Sequence, residues 1–125
     1  MFTAAALASL AEQGKVELEK PIGNYVKGLH PKLAHLTSHQ LLTHTAGLAY
    51  ETKMDGLHDD SALGNHARAM KDELCFTEPG RIWSYSNPGY WLAGLVIEEV
   101  SAKPYADAVH DRLLAPLGMK RSSFR

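Results

Sequence analysis

The sequence has 125 residues, 45% of them hydrophobic and 22% charged, which is enough to bury one core. Thirteen basic against fourteen acidic residues leave a formal charge of −1, so no global electrostatic pull toward nucleic acid or anionic lipid exists. A single cysteine, Cys75, excludes an internal disulfide framework, and no uncharged run of ~20 apolar residues is present to span a membrane.

In chain order, Phe2, Ala6, Leu7 and Leu10 fall on one face of a helix that Gly14 is placed to end with a left-handed cap. Its alanine-rich start lacks the basic segment of a secretory signal and breaks at Glu12, Gln13 and Gly14, so it reads as an amphipathic helix of a soluble protein. "KVELEKPIGNYV" reads as a connecting loop with some extended character. Thr37 and Gln40 form a capping box that opens a short helix through Leu41, Leu42 and His44, with Gly47 ending it. Residues 50–60 are polar and read as a surface loop, after which Asp60 or Ser61 caps a helix to about Leu74.

"TEPGRIWSYSN" is turn-rich. Asn87 before Pro88 has the arrangement of a helix cap followed by the first helical residue. Trp91, Leu92, Leu95, Val96 and Val100 then give a helix with a broad apolar face, on which Trp91 reads as core and Glu98-Glu99 as a solvated edge. A last helix runs from near Pro104 to before Pro116, with Ala108, Leu113 and Leu114 inward. The chain is mainly α, four or five helices joined by loops. Its first helix has no side-chain cap and Phe124 nothing after it to cover the ring, so both ends read as cut.

Three groups could carry chemistry. Tyr85-Ser86-Asn87 is either turn and cap chemistry or a proton-transfer group beside an amide-binding one. His35, His39 and His44 suggest a metal, yet no carboxylate or cysteine stands at ligand spacing, so no metal site is expected; Thr43, His44 and Thr45 read as groups that satisfy backbone at the turn. Cys75, between Leu74 and Phe76, reads as a buried small hydrophobe.

"FTAAALASLAEQGKVELEKPI", "LTSHQLLTHTAGL" and "PGRIWSYSNPGYWLAGLVIEEVSAKPYADAVHDRLLAPLGM" together resemble the serine β-lactamase-like hydrolases: class C β-lactamases, D-Ala-D-Ala carboxypeptidases, penicillin-binding proteins and related esterases. The resemblance covers nearly the whole chain and implies the helical lobe of an α plus α/β fold, residues 1–125 being one partial domain with most of the sheet lobe elsewhere. It departs at Ala49, where the relatives commonly have proline. The family's mechanism uses a Ser-x-x-Lys nucleophile, a Tyr-x-Asn loop and a late Lys-Thr-Gly or His-x-Gly strand, and it acts on ester or amide carbonyls through an acyl-enzyme. The resemblance carries over Tyr85 as general base and acid and Asn87 as substrate-positioning residue; Trp83, just ahead of Tyr85, and Ser86, between the two, are the further candidate substrate contacts by their position in the sequence. A free tyrosine titrates near ~10, so such a base relies on the lysines of the other two motifs.

Those motifs are not in these residues: no serine has a lysine three positions on, and no Lys-Thr-Gly or His-x-Gly follows Tyr85. The resemblance places the missing lysine directly before Met1. The expectation is therefore a half-site, inactive alone, that serves a small ester, amide, β-lactam or peptide substrate in an intact enzyme and needs no cofactor. A non-catalytic helical binding module and one half of a split hydrolase are the alternatives. The first helix would lie between the two lobes, so its bare face predicts a homo-oligomer or a domain-exchanged assembly.

Overall fold

The computed structural model describes residues 1–51 and 59–124; most of the surface loop expected over residues 50–60 lies outside them. Six α-helices form the frame of the described residues: α1 (Phe2–Glu12), α2 (Pro31–Ala34), α3 (Ser38–Leu42), α4 (Ala62–Ala69), α5 (Asn87–Ser101) and α6 (Tyr105–Val109). Single 3-10 turns lie at Ile22–Asn24 and Asp72–Leu74, and a π turn at His110–Leu114 prolongs α6. Extended pairing among the described residues is limited to two isolated antiparallel bridges, Pro21 with Thr37 and Leu48 with Cys75. The mainly α reading holds.

Helix α5 is the centre. Its Leu92, Ala93, Leu95, Val96 and Ile97 are buried, and α1, α3, α4 and α6 all pack on it. Against it α1 buries Ala6, Leu7 and Leu10 completely, each large apolar side chain contributing ~2 kcal/mol of transfer free energy. The α1 helix ends as expected: Gly14, at φ +69°, donates to the Ala11 carbonyl, and Lys15 donates to Leu10, satisfying two carbonyls of the last turn.

The capping box of α3 is present, with Gln40 N–H donating to Thr37 Oγ1 at 3.2 Å and Thr37 N–H to Gln40 Oε1 at 3.0 Å. The helix stops at Leu42, however, and His44 lies outside it at φ 59°. Helix α4 also stops short, at Ala69. Met70 turns extended, which buries its side chain and brings Leu74 back to the core next to the Leu48–Cys75 bridge. Ser61 heads α4 without capping a backbone N–H: its hydroxyl donates to Asp59 Oδ1 at 2.6 Å and accepts the Asn65 side-chain amide at 3.1 Å.

Three further expectations are corrected. Trp91 is only partly buried, its ring meeting His66 edge-on at 4.9 Å. Glu98 is not a solvated edge: one carboxylate oxygen is buried without a partner, and burial pushes its carboxyl above the usual range. Glu99 is ion-paired with Arg68. Phe124 is covered only in part: its ring lies edge-on to Phe2 and to Tyr105, both at 5.5 Å, and the residue stays 44% exposed. Cys75 is half-buried against the core, and desolvation raises its thiol.

Candidate active site

The stretch between α3 and Glu51 and the stretch leading into α5 are joined by backbone hydrogen bonds. Phe76 donates to Gly47 (3.1 Å), Ala49 to Leu74 (2.9 Å), Gly80 to Thr45 (2.7 Å), Ser84 to His44 (2.9 Å) and Asn87 to Tyr50 (3.0 Å). Gly47 is required at the crossing: its φ is +72°, and a Cβ there would lie 2.3 Å from the Thr77 carbonyl oxygen. Thr43 completes the turn, its hydroxyl 2.8 Å from the His39 carbonyl and 2.9 Å from the Thr45 hydroxyl.

His44 is the hub of this join. Its Nδ1 accepts the Ser86 N–H at 3.2 Å, which leaves the imidazole proton on Nε2 in the neutral form. Desolvation by burial holds its pKa below the ordinary 6.5, in agreement with an acceptor role. The ring stacks on Tyr90 at 5.1 Å, lies 4.5 Å from Tyr85 and meets Trp83 edge-on at 6.0 Å. Tyr90 is tied down by its own hydroxyl, which donates to the Leu42 carbonyl at 3.2 Å.

The residues singled out from sequence thus meet in one place, in different roles. Tyr85 is 45% and Trp83 67% exposed, so both rings face outward, and Tyr50 (58% exposed) adds a third ring 5.7 Å from Tyr85. Ser86 does not face outward. It is 3% exposed, and its hydroxyl donates to the Ala49 carbonyl at 2.8 Å while accepting the Gly89 N–H at 3.2 Å. A hydroxyl so committed has no proton left to donate elsewhere. Ser86, not Asn87, is the cap of α5; Asn87 is the first helical residue, and its side-chain amide donates to Glu51 Oε1 at 3.4 Å.

Sequence reasoning missed Tyr50 and Glu51. They reach the site through the Asn87–Tyr50 backbone bond, a contact between positions 37 apart that no local pattern announces. Among the described residues, no three His, Cys, Asp or Glu side chains converge to hold a metal ion. His39 instead places Nδ1 2.7 Å from Glu19. Also among the described residues, no helix is long and apolar enough to cross a membrane.

The beta-lactamase family model matches residues 1–125. The protein flp of Staphylococcus aureus (strain MW2) is 30% identical over 99% of this chain, which spans 26% of flp's length. Among solved structures, an octameric penicillin-binding protein homologue from Pyrococcus abyssi superposes with a TM-score of 0.79 at 32% identity, over 99% of this chain and 31% of its own. The D-amino acid amidase of Ochrobactrum anthropi SV3, in complex with L-phenylalanine amide, gives 0.73 at 34% identity over 95% and 35%. The chain thus spans about a quarter to a third of these three proteins, and it corresponds to a largely helical portion of their fold. It belongs to the beta-lactamase family.

Proposed function

We propose that Tyr85 and Asn87 are the proton-relay and substrate-positioning residues of a serine hydrolase that cleaves an ester or amide bond through an acyl-enzyme. The nucleophilic Ser-x-x-Lys and the late Lys-Thr-Gly or His-x-Gly strand come from sequence outside residues 1–125, and the chain alone is inactive. The observation that supports this most is the outward-facing Tyr85 ring, flanked by Tyr50 and held by His44, whose ring also meets Trp83 edge-on. A relay must reach a substrate yet keep its orientation, and an exposed tyrosine backed by a neutral imidazole meets both needs. Trp83 forms a wall of the cleft. Ser86 acts from beneath, fixing the start of α5 so that Asn87 and Tyr85 keep their spacing.

In such a reaction the serine oxygen attacks the carbonyl carbon and its proton passes toward Tyr85. The same proton is returned to the leaving amine or alcohol, and water then releases the acyl group by the reverse transfer. Residues 1–125 form the helical part of that larger domain. The outer face of α1, where Ala5 and Ala8 are exposed, is the surface on which the remainder or a further copy packs. The octameric penicillin-binding protein homologue favours an oligomer.

Labelling with a fluorescent fluorophosphonate or penicillin tests the reading. The 125-residue chain should stay unlabelled, whereas a polypeptide extended through both missing motifs should label. Tyr85→Phe in the extended polypeptide should slow labelling by about 10²–10⁴-fold with unchanged circular dichroism. Labelling of the short chain would mean that one of its own serines is activated, and the half-site reading would fall.

A further inference from the structure

Position 44 carries a histidine where the backbone asks for glycine. Helix α3 closes with two bonds, His44 N–H to the Leu41 carbonyl (3.4 Å) and Thr45 N–H to the Gln40 carbonyl (3.0 Å), a closure that puts residue 44 in the left-handed region at φ 59°. Gly14 fills the same position after α1. A side chain there strains the backbone, so glycine would serve the turn better. That strain is offset by what the imidazole does for its surroundings.

Its contacts lead to the relay. Nδ1 accepts the N–H of Ser86, the residue between Tyr85 and Asn87, at 3.2 Å, and the ring lies 4.5 Å from that of Tyr85. On α5 it stacks on Tyr90, whose hydroxyl bond to Leu42 fixes that ring to the end of α3. The imidazole thus ties Tyr85 to two helices, and through one nitrogen it sets the backbone between the two relay residues. Only the neutral form does this, because an imidazolium would present a donor to the Ser86 N–H. Among the described residues, the titratable groups that face it are the phenols of Tyr85, from the loop, and Tyr90, from α5. Its own turn carries the neutral hydroxyls of Thr43 and Thr45, bonded to each other, and Glu51 is bonded to Asn87. Burial is the cause that lowers its pKa from 6.5.

Resting on the hydrolase reading, we propose that His44 is the positioning residue of the Tyr85 relay, and that a proton on its imidazole releases Ser86 and lets Tyr85 lose its alignment. The relay then works only while His44 is neutral, and mild acid slows acylation. Charge alone would act the other way, since a cation near Tyr85 favours the phenolate. The two roles therefore have opposite pH signatures.

The test uses the polypeptide extended through both missing motifs, labelled with a fluorophosphonate across a pH series. His44→Asn keeps the left-handed backbone and an acceptor oxygen but has no ring and no titration. At about pH 7.5 it should label more slowly than the native form, by on the order of tenfold. The native-to-variant ratio should fall toward one as pH drops through the midpoint of the native His44, below 6.5, which nuclear magnetic resonance of the imidazole reads independently. His44→Gly should be slower still, although its backbone is relieved. Native labelling rates in either variant, a ratio that ignores pH or grows in acid, or a ratio whose midpoint departs from that of the imidazole would overturn the proposal. Tyr85→Phe in the same assay keeps the two readings apart. Labelling that does not depend on Tyr85 removes the relay itself, whereas labelling that depends on Tyr85 but ignores His44 removes only the positioning role.

Discussion

Two parts of this molecule are built on different physics. Around α5 the chain is held by non-directional burial: Leu7, Leu10, Leu92, Val96 and Ile97 are fully buried, and the stretch of α5 from Leu92 to Ile97 shows no exposed residue. Around Tyr85 the chain is held by direction: five backbone bonds between two loops, a histidine nitrogen and a serine hydroxyl used twice. The first part can absorb a modest change of shape, because apolar contacts reform wherever atoms meet. The second cannot, because a hydrogen bond missed by an ångström leaves a buried group without a partner. Stability is therefore set mainly by the helices, and the geometry of the candidate site by the loops.

The comparison predicts a hierarchy of damage. The largest effect should come from Leu92→Ala, which opens a cavity at the centre of the helical part and should cost about 3–4 kcal/mol in urea-induced unfolding. The near-ultraviolet circular dichroism of the Trp83, Tyr85 and Tyr90 cluster should persist in the fraction that stays folded. A site signal that vanished with the native helices still intact would break the separation. Gly47→Ala should cost slightly less, on the order of 3 kcal/mol, from left-handed backbone strain and the clash with the Thr77 carbonyl. It should act in the opposite place, with the aromatic signal altered while far-ultraviolet helicity is kept. Ser86→Ala ranks third, at about 1–2 kcal/mol, since it removes a helix cap and strips the Ala49 carbonyl of its side-chain donor. The same variant should loosen Asn87, visible as faster amide exchange at the start of α5.

The two parts were also unequally legible in the sequence, for the same physical reason. Helix α1 and its Gly14 ending, the Thr37–Gln40 capping box and the apolar face of α5 are local patterns, revealed by a period of 3.6, a terminal glycine or a capping pair. Misreadings appear where a contact distant in sequence decides. Ser86 and Asn87 are equally good caps by propensity; the Ala49 carbonyl, 37 positions away, selects Ser86 and shifts the helix start by one residue. Helix α4 ends at Ala69 although its sequence would continue, because burying Met70 and Leu74 brings more apolar contact than another helical turn. Tyr85 and Asn87 stand out through their motif, but the ring and carboxylate that complete their surroundings, Tyr50 and Glu51, are placed by the loop pairing alone.

His44 joins both levels and gives the smallest expected effect. As a neutral acceptor it must stay unprotonated, because an imidazolium has no lone pair for the Ser86 N–H and would present a donor to it. Its pKa in the folded chain lies below 6.5, so between that lowered value and about 6.5 the unfolded chain binds a proton that the folded chain does not. The stabilising contribution is complete above pH 6.5 and declines as pH falls toward the folded value. His44→Asn separates this contribution from those of the other histidines. Asparagine tolerates the left-handed backbone that His44 adopts and offers a carbonyl oxygen in place of Nδ1. The difference in unfolding free energy between the native chain and His44→Asn should stay constant above pH 7. Below pH 6.5 it should move against the native chain. A difference that stayed flat down to pH 5.5 would mean that Ser86 does not depend on the neutral imidazole, and that the site loops are held by their backbone bonds alone.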